Sequence, residues 1–73
     1  MKIQILSLDG ILYDGETNSI TLPAADGEIT VLKNHIPLIT LLKKGVIRTA
    51  EKNIEIPGGF AEINATKVVV LAN

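Results

Sequence analysis

The stretch Asn18-Ser19-Ile20-Thr21-Leu22-Pro23-Ala24-Ala25-Asp26-Gly27-Glu28-Ile29-Thr30-Val31-Leu32 decides the fold class. Ile20 and Leu22 alternate with Ser19 and Thr21, the period of two that puts apolar side chains on one face of a strand and hydroxyls on the other. Pro23 lacks an N–H for a ladder and is expected to end this strand. Asp26-Gly27 is a turn dipeptide, since glycine accepts positive φ and aspartate bonds its own backbone. After it, Ile29 and Val31 again share one face. Two alternating runs around a turn make a β-hairpin.

The same punctuation recurs on both sides of this hairpin. Upstream, Ile3 to Leu8 puts Ile3 and Ile5 on one face but Leu6 and Leu8 on the other, which predicts a bulge near Leu6 or burial on both faces. Asp9-Gly10 and Asp14-Gly15 are expected to be turns bracketing a short strand, Ile11-Leu12-Tyr13. Downstream, Pro37 to Lys44 mixes helical and strand spacing, and its shortness favours a strand. Val46 to Ala50 and Ile54-Glu55-Ile56 form a hairpin around the polar tip Glu51-Lys52-Asn53. Pro57-Gly58-Gly59 bends the chain into Phe60 to Ile63. Lys67 to Leu71, the most continuously apolar segment, is expected to be a central, buried strand. The sum is an all-β protein of about eight to ten short strands, enough for two packed sheets, in a single domain over residues 1–73.

Composition narrows the functional classes. At 73 residues the chain buries a modest core and has little room for a deep active-site cavity. It has no cysteine, so disulfides, thiolate chemistry and cysteine-ligated metals are excluded. The net charge is -1 and the seven basic residues are scattered, which gives no footprint for nucleic acid or anionic lipid. The apolar content is 47%, yet the run Val68 to Ala72 is far shorter than the roughly 20 residues of a membrane-spanning helix, so direct membrane insertion is not expected. The start, Met1-Lys2-Ile3-Gln4, enters strand-like sequence at once without signal-peptide regions, which reads as cytoplasmic.

No constellation of catalytic type is present. His35 is the sole histidine and lacks a second imidazole or thiol for a metal cage. Gly58-Gly59 lacks the surroundings of a phosphate loop, and Ser7 and Ser19 lie in strands rather than in a nucleophile elbow. The carboxylates Asp9, Asp14, Glu16, Asp26 and Glu28 lack calcium-loop spacing, and most are read as turn residues. No catalytic residue, cofactor or metal site is therefore expected. Lys52 at a hairpin tip resembles the modified lysine of lipoyl and biotinyl carrier domains, although Glu51 and Asn53 do not match their flanks. A carrier domain and a generic β-sandwich binding module are the alternative readings.

The segment Leu22 to Gly45 resembles the epsilon subunit of F-type ATP synthases. That family shows LPxxxGE followed by V-L-x-x-H-x-P-L-[LI]-T-x-L-K-x-G, matched here by Leu22-Pro23, Gly27-Glu28, Val31-Leu32, His35, Pro37-Leu38-Ile39-Thr40, Leu42-Lys43 and Gly45. The likeness continues through Ile47-Arg48, Gly58 to Ile63 and Val68 to Ala72. The resemblance implies a flattened two-sheet β-sandwich of about ten strands, part of a non-catalytic central-stalk rotor subunit. Such a subunit binds the gamma subunit and the c-subunit rotor ring, and couples ion-driven rotation to ATP synthesis. By motif position, Asp26, Glu28 and Thr30 would face the ring, and Ser7, His35 and Thr40 the gamma subunit. The implied location is peripheral, on the cytoplasmic side of a bacterial inner membrane.

The resemblance also sets two departures. The family commonly continues after V-L-A-[DN] into a helical hairpin that inhibits hydrolysis and in some bacteria binds ATP, whereas this sequence stops at Asn73. Neither inhibition by a helical arm nor ATP binding is expected, so millimolar ATP should leave the melting temperature unchanged. Lys33-Asn34 also stands where many members have Pro-Gly, which predicts a differently bent loop before His35.

Overall fold

The computed structural model describes residues 1–34 and 36–73. Nine strands are defined among the described residues, within the eight to ten expected: β1 (Lys2–Ser7), β2 (Gly10–Glu16), β3 (Ser19–Ala24), β4 (Gly27–Leu32), β5 (Leu38–Leu42), β6 (Gly45–Thr49), β7 (Asn53–Ile56), β8 (Gly59–Ile63) and β9 (Lys67–Ala72). They join in one path, β2-β1-β9-β8-β5-β3-β6-β7, with β4 paired to β3. The contact between β5 and β3 is a single register pair, Ala24 with Leu42. At that narrow junction the ladder folds into a sandwich, with β2-β1-β9-β8-β5 as one layer and β4-β3-β6-β7 as the other. The smallest extent of the molecule is 18 Å, room for two sheets about 10 Å apart.

Both layers contribute to one core. Ile3, Ile5, Ala61, Ile63, Val68 and Val70 come from the first layer, and Ile20, Leu22, Val31, Ile47 and Ile56 from the second, all at 2% exposure or less. These are the inward positions of the alternating runs. A slip of one residue in any strand would turn that set outward, so burial itself holds the register. β1 and β9 lie side by side in parallel, Ile3 opposite Val68 and Ile5 opposite Val70, whereas the other pairings are antiparallel. The two ends of the chain thus meet in the middle of one layer, a pairing that no local turn signal announces.

Three expectations are corrected in detail. Asp14-Gly15 is not a turn: β2 runs through it, with Asp14 opposite Gln4 and Gly15 opposite Ile3. The Tyr13 ring lies over Gly15 and fills the space of its missing side chain, since a Cβ there would sit 2.7 Å from the phenol oxygen. Pro23 does not end β3, which continues to Ala24. Its carbonyl accepts from the Lys43 N–H at 2.9 Å on the β5 side. The missing N–H points to the same side, between the stretch paired with β6 and the single pair with β5, where no ladder bond needs a donor. Third, β9 is central as expected but is buried on one face: Val68, Val70 and Ala72 are inside, and Leu71 is 40% exposed.

A bulge lies opposite Leu6, as expected near that residue, but the extra residue is on β2. Ile5 faces Tyr13 and Leu6 faces Ile11, so Leu12 is the extra residue on the partner strand. β1 itself keeps its alternation, Ile5 inward and Leu6 outward, and the bulge puts Tyr13 on the core side with Ile5 and Ile11 on the outer side with Leu6. Lys33-Asn34 forms a turn in which Asn34 has φ 67°, the left-handed conformation that the glycine of a Pro-Gly pair would supply. Asparagine is among the few non-glycine residues that enter this region readily, so the sequence departure at this loop carries its own conformational replacement. His35 lies outside the described residues.

Candidate functional site

The outward face of the five-strand layer carries an uncovered apolar row. Register places Leu41 opposite Phe60, Phe60 opposite Leu71, Leu71 beside Leu6, and Leu6 opposite Ile11. Directly opposed residues point to the same side of a sheet, so the five side chains line up across β5, β8, β9, β1 and β2. At about 4.8 Å between strands the row is roughly 19 Å long. Leu41 is 69% exposed, Ile11 66%, Phe60 42% and Leu71 40%, and Leu6 is half-buried. Single exposed leucines need no explanation, but a contiguous apolar patch marks an interaction surface. Leu8, in the β1–β2 turn, is almost fully exposed as well.

The second layer is polar on its outside. Thr30 on β4 faces Thr21 on β3, and Thr21 faces Arg48 on β6. The two threonine hydroxyls are 3.1 Å apart. Glu28, two residues before Thr30 and on the same face, reaches over β3 to Arg48, with 3.1 Å between Oε2 and Nη1. Both side chains are about half exposed, so the pair adds little to stability. The chain reverses through Ala25-Asp26, and Ala24 pairs directly with Gly27. Glycine suits that position, with φ 134°.

These placements sort the residues expected from the sequence. Asp26, Glu28 and Thr40 line one open hollow of about 200 Å³ between the β3–β4 hairpin and β5, together with Ile29 and Leu38. Thr30 lies next to it on the outer face of β4. Thr40 faces the same side of β5 as its partner Ala61, which is fully buried, and so points away from the apolar row. Ser7 lies three strands along the ladder from β5, at the β1–β2 turn. Its hydroxyl donates to the Gly10 carbonyl at 3.3 Å and accepts the Asp9 N–H at 3.2 Å. The expected role of His35 falls outside the described residues. Lys52 is exposed at the β6–β7 tip, where its carbonyl accepts the Thr49 N–H at 2.8 Å and its own N–H donates to the Thr49 hydroxyl.

Sequence reading passed over Arg48, Thr21 and the apolar row. The only available signal for the row was the odd phase of Leu6, Leu41 and Leu71 relative to their buried neighbours. Among the described residues no group of three or more His, Cys, Asp or Glu side chains could hold a metal ion. Nor, among the same residues, is any helix long and apolar enough to cross a membrane.

The class this defines is a small all-β sandwich with one uncovered apolar face and one polar face. The chain belongs to the ATP synthase delta/epsilon chain beta-sandwich domain family, whose model matches residues 1–73. It is 43% identical over 76 residues to the ATP synthase epsilon chain of Sulfurimonas denitrificans, an alignment covering 97% of this chain and 58% of that protein. The plastid ATP synthase epsilon chain of Prototheca wickerhamii is 46% identical over 77 residues, covering 100% of this chain and 58% of that one. The chain thus spans somewhat less than three fifths of the length of these relatives. Among solved structures it is similar to a chain in the central stalk and c-ring of the Tetrahymena thermophila mitochondrial ATP synthase, with TM-score 0.78, 14% identity and coverage of 99% and 62% of the two chains. A chain in the OSCP/F1/c-ring assembly of the Euglena gracilis mitochondrial ATP synthase gives TM-score 0.82 and 23% identity, covering 96% and 48%. At these identities the structural likeness establishes the shared fold.

Proposed function

We propose that this β-sandwich is the part of an ATP synthase epsilon-type subunit that fastens the central stalk, and that it acts by binding, with no active site of its own. The observation that carries the reading is the apolar row of Leu41, Phe60, Leu71, Leu6 and Ile11, an uncovered stripe on an otherwise ordinary small domain. Its occupant in this reading is the gamma subunit. Ser7 stands beside the Ile11 end, and the family resemblance also assigns His35 to the gamma subunit. The β3–β4 hairpin with Asp26, Glu28 and Thr30 faces the c-subunit ring, whose polar loops suit a polar partner.

Thr40, assigned to gamma by resemblance, shares the hollow of Asp26 and Glu28. β5 is therefore the strand common to both contacts, with Leu41 on the row and Thr40 toward the hairpin. Rotor and shaft are coupled through one rigid sandwich, held to the ring at the membrane surface without inserting into the bilayer, on the cytoplasmic side in a bacterium. Support comes from the family membership and from the relatives' description as epsilon chains.

Calorimetry against the purified gamma subunit and, separately, the detergent-solubilised ring tests this. Phe60→Ser should weaken gamma binding about tenfold or more, as expected for an aromatic anchor at the centre of an interface, and leave ring binding in place. Glu28→Ala should do the reverse. A folded chain that binds neither partner, or gamma binding indifferent to both Phe60→Ser and Leu41→Ser, would refute the proposal.

A further inference from the structure

We infer that Arg48 is a positioning residue for the ring-facing hairpin: it holds Glu28 in the orientation in which the ring meets it. This rests on the proposed ring contact and adds to it a residue on a different hairpin. Among the described residues β4, which carries Glu28, pairs only with β3, so there the Glu28 side chain has no strand neighbour beyond it. A glutamate there has three rotatable bonds and sweeps a wide arc. Arg48 closes that arc from two strands away, its Nη1 3.1 Å from Glu28 Oε2.

Arg48 is well placed for this because the strands beneath it are registered. Its direct partner is Thr21, and the partner of Thr21 on the other side is Thr30, with 3.1 Å between the two hydroxyls. One polar row, Thr30–Thr21–Arg48, crosses three strands, and Glu28 leans diagonally back along it over Pro23, its own register partner. The Pro23 ring is buried and cannot rotate away, so the floor under the pair is rigid. The ion pair is half exposed and contributes little to folding. What it supplies is order in the unbound protein, which reduces the entropy lost when a partner immobilises a long side chain. It also sets the chemistry on offer. Glu28 and Arg48 together present an acceptor and donors side by side with no net charge, leaving Asp26 at the tip as the hairpin's negative charge. Such a surface suits a polar loop bearing both amide and charged groups over a purely cationic patch.

A double-mutant cycle on the 73-residue chain against the detergent-solubilised ring decides the matter. Arg48→Gln is expected to weaken ring binding about three- to tenfold, the factor for fixing one rotamer-rich side chain, while gamma binding and the melting temperature stay as in the parent. Arg48→Lys, which keeps a cation within reach, recovers part of the loss. In the Glu28→Gln background Arg48→Gln has no further effect, since Arg48 acts through Glu28. Additive losses would mean that Arg48 contacts the ring itself, and an unchanged affinity would mean that it does nothing there; either overturns the inference while the ring contact stands. Absence of ring binding by the parent chain, with gamma binding intact, overturns both.

Discussion

Gly59 is the residue whose replacement should damage the fold most for the fewest atoms added. It opens β8 at φ 142°, a conformation that side chains rarely adopt, and an added Cβ would overlap the backbone carbonyl oxygen of Leu71 in the neighbouring strand. The colliding atom belongs to the β8–β9 ladder, where Gly59 faces Ala72 and Phe60 faces Leu71, so neither side can yield without opening pairs. Gly10 provides the control: its φ is 127°, yet a Cβ there would meet nothing within 4 Å. Gly10→Ala should therefore cost about 1–3 kcal/mol of backbone strain. Gly59→Ala adds the collision and should cost about 2 kcal/mol more, comparable to overpacking a tight interior.

For a domain of this size, with a total stability of order 4–11 kcal/mol, that difference is measurable and serious. Urea unfolding of both variants, compared at the transition midpoint with the slope held constant, provides the assay. The difference should also appear as a melting temperature lower by about 4–8 °C per kcal/mol. Equal losses for the two variants would refute the steric account of the β8–β9 junction and leave backbone strain alone.

Other substitutions separate the core, the apolar row and the turn before β5. Ile5→Ala, at a fully buried position, should lose about 2–5 kcal/mol by urea titration. Ile11→Ala, 66% exposed, should stay within about 0.5 kcal/mol of the parent while weakening gamma binding in calorimetry; equal destabilisation by the two would mean that the apolar row is part of the core. Asn34→Gly should leave thermal stability unchanged or raise it slightly, and Asn34→Ala should lower it by about 1 kcal/mol because of its φ of 67°. A neutral alanine would contradict the left-handed turn.

Much of the architecture was legible because it rests on local pattern. Alternation grouped Ile3 with Ile5 and Ile20 with Leu22 on single faces that the structure buries. Asp9-Gly10, Asp26-Gly27 and the Glu51-Lys52 tip marked reversals that occur. Asp14-Gly15 misled for a physical reason: a turn dipeptide is permissive rather than obligatory, and cross-strand pairs with Ile3 and Gln4 plus the Tyr13 ring favoured continuing the strand. Pro23 misled because its cost depends on whether a neighbour needs its N–H, which is a property of the sheet. Of the residues expected at interfaces, Asp26, Glu28 and Thr40 converge on one hollow, although the resemblance divided them between two partners.

Taken by itself, the sequence determined which side chains face inward, where most of the chain reverses, and, through a long motif, the family. Each depends on residues close together along the chain or on their order. Tertiary structure alone decided what lies across a strand boundary. Leu6, Ile11, Leu41, Phe60 and Leu71 are scattered over the chain, and each looks like a lapse in alternation until the parallel β1–β9 pairing and the antiparallel β5–β8 and β8–β9 registers bring them into one row. The same holds for Glu28 and Arg48, joined over β3. Sheet register is set by the burial of the opposite face, a collective property of all nine strands, and no short stretch of sequence contains it.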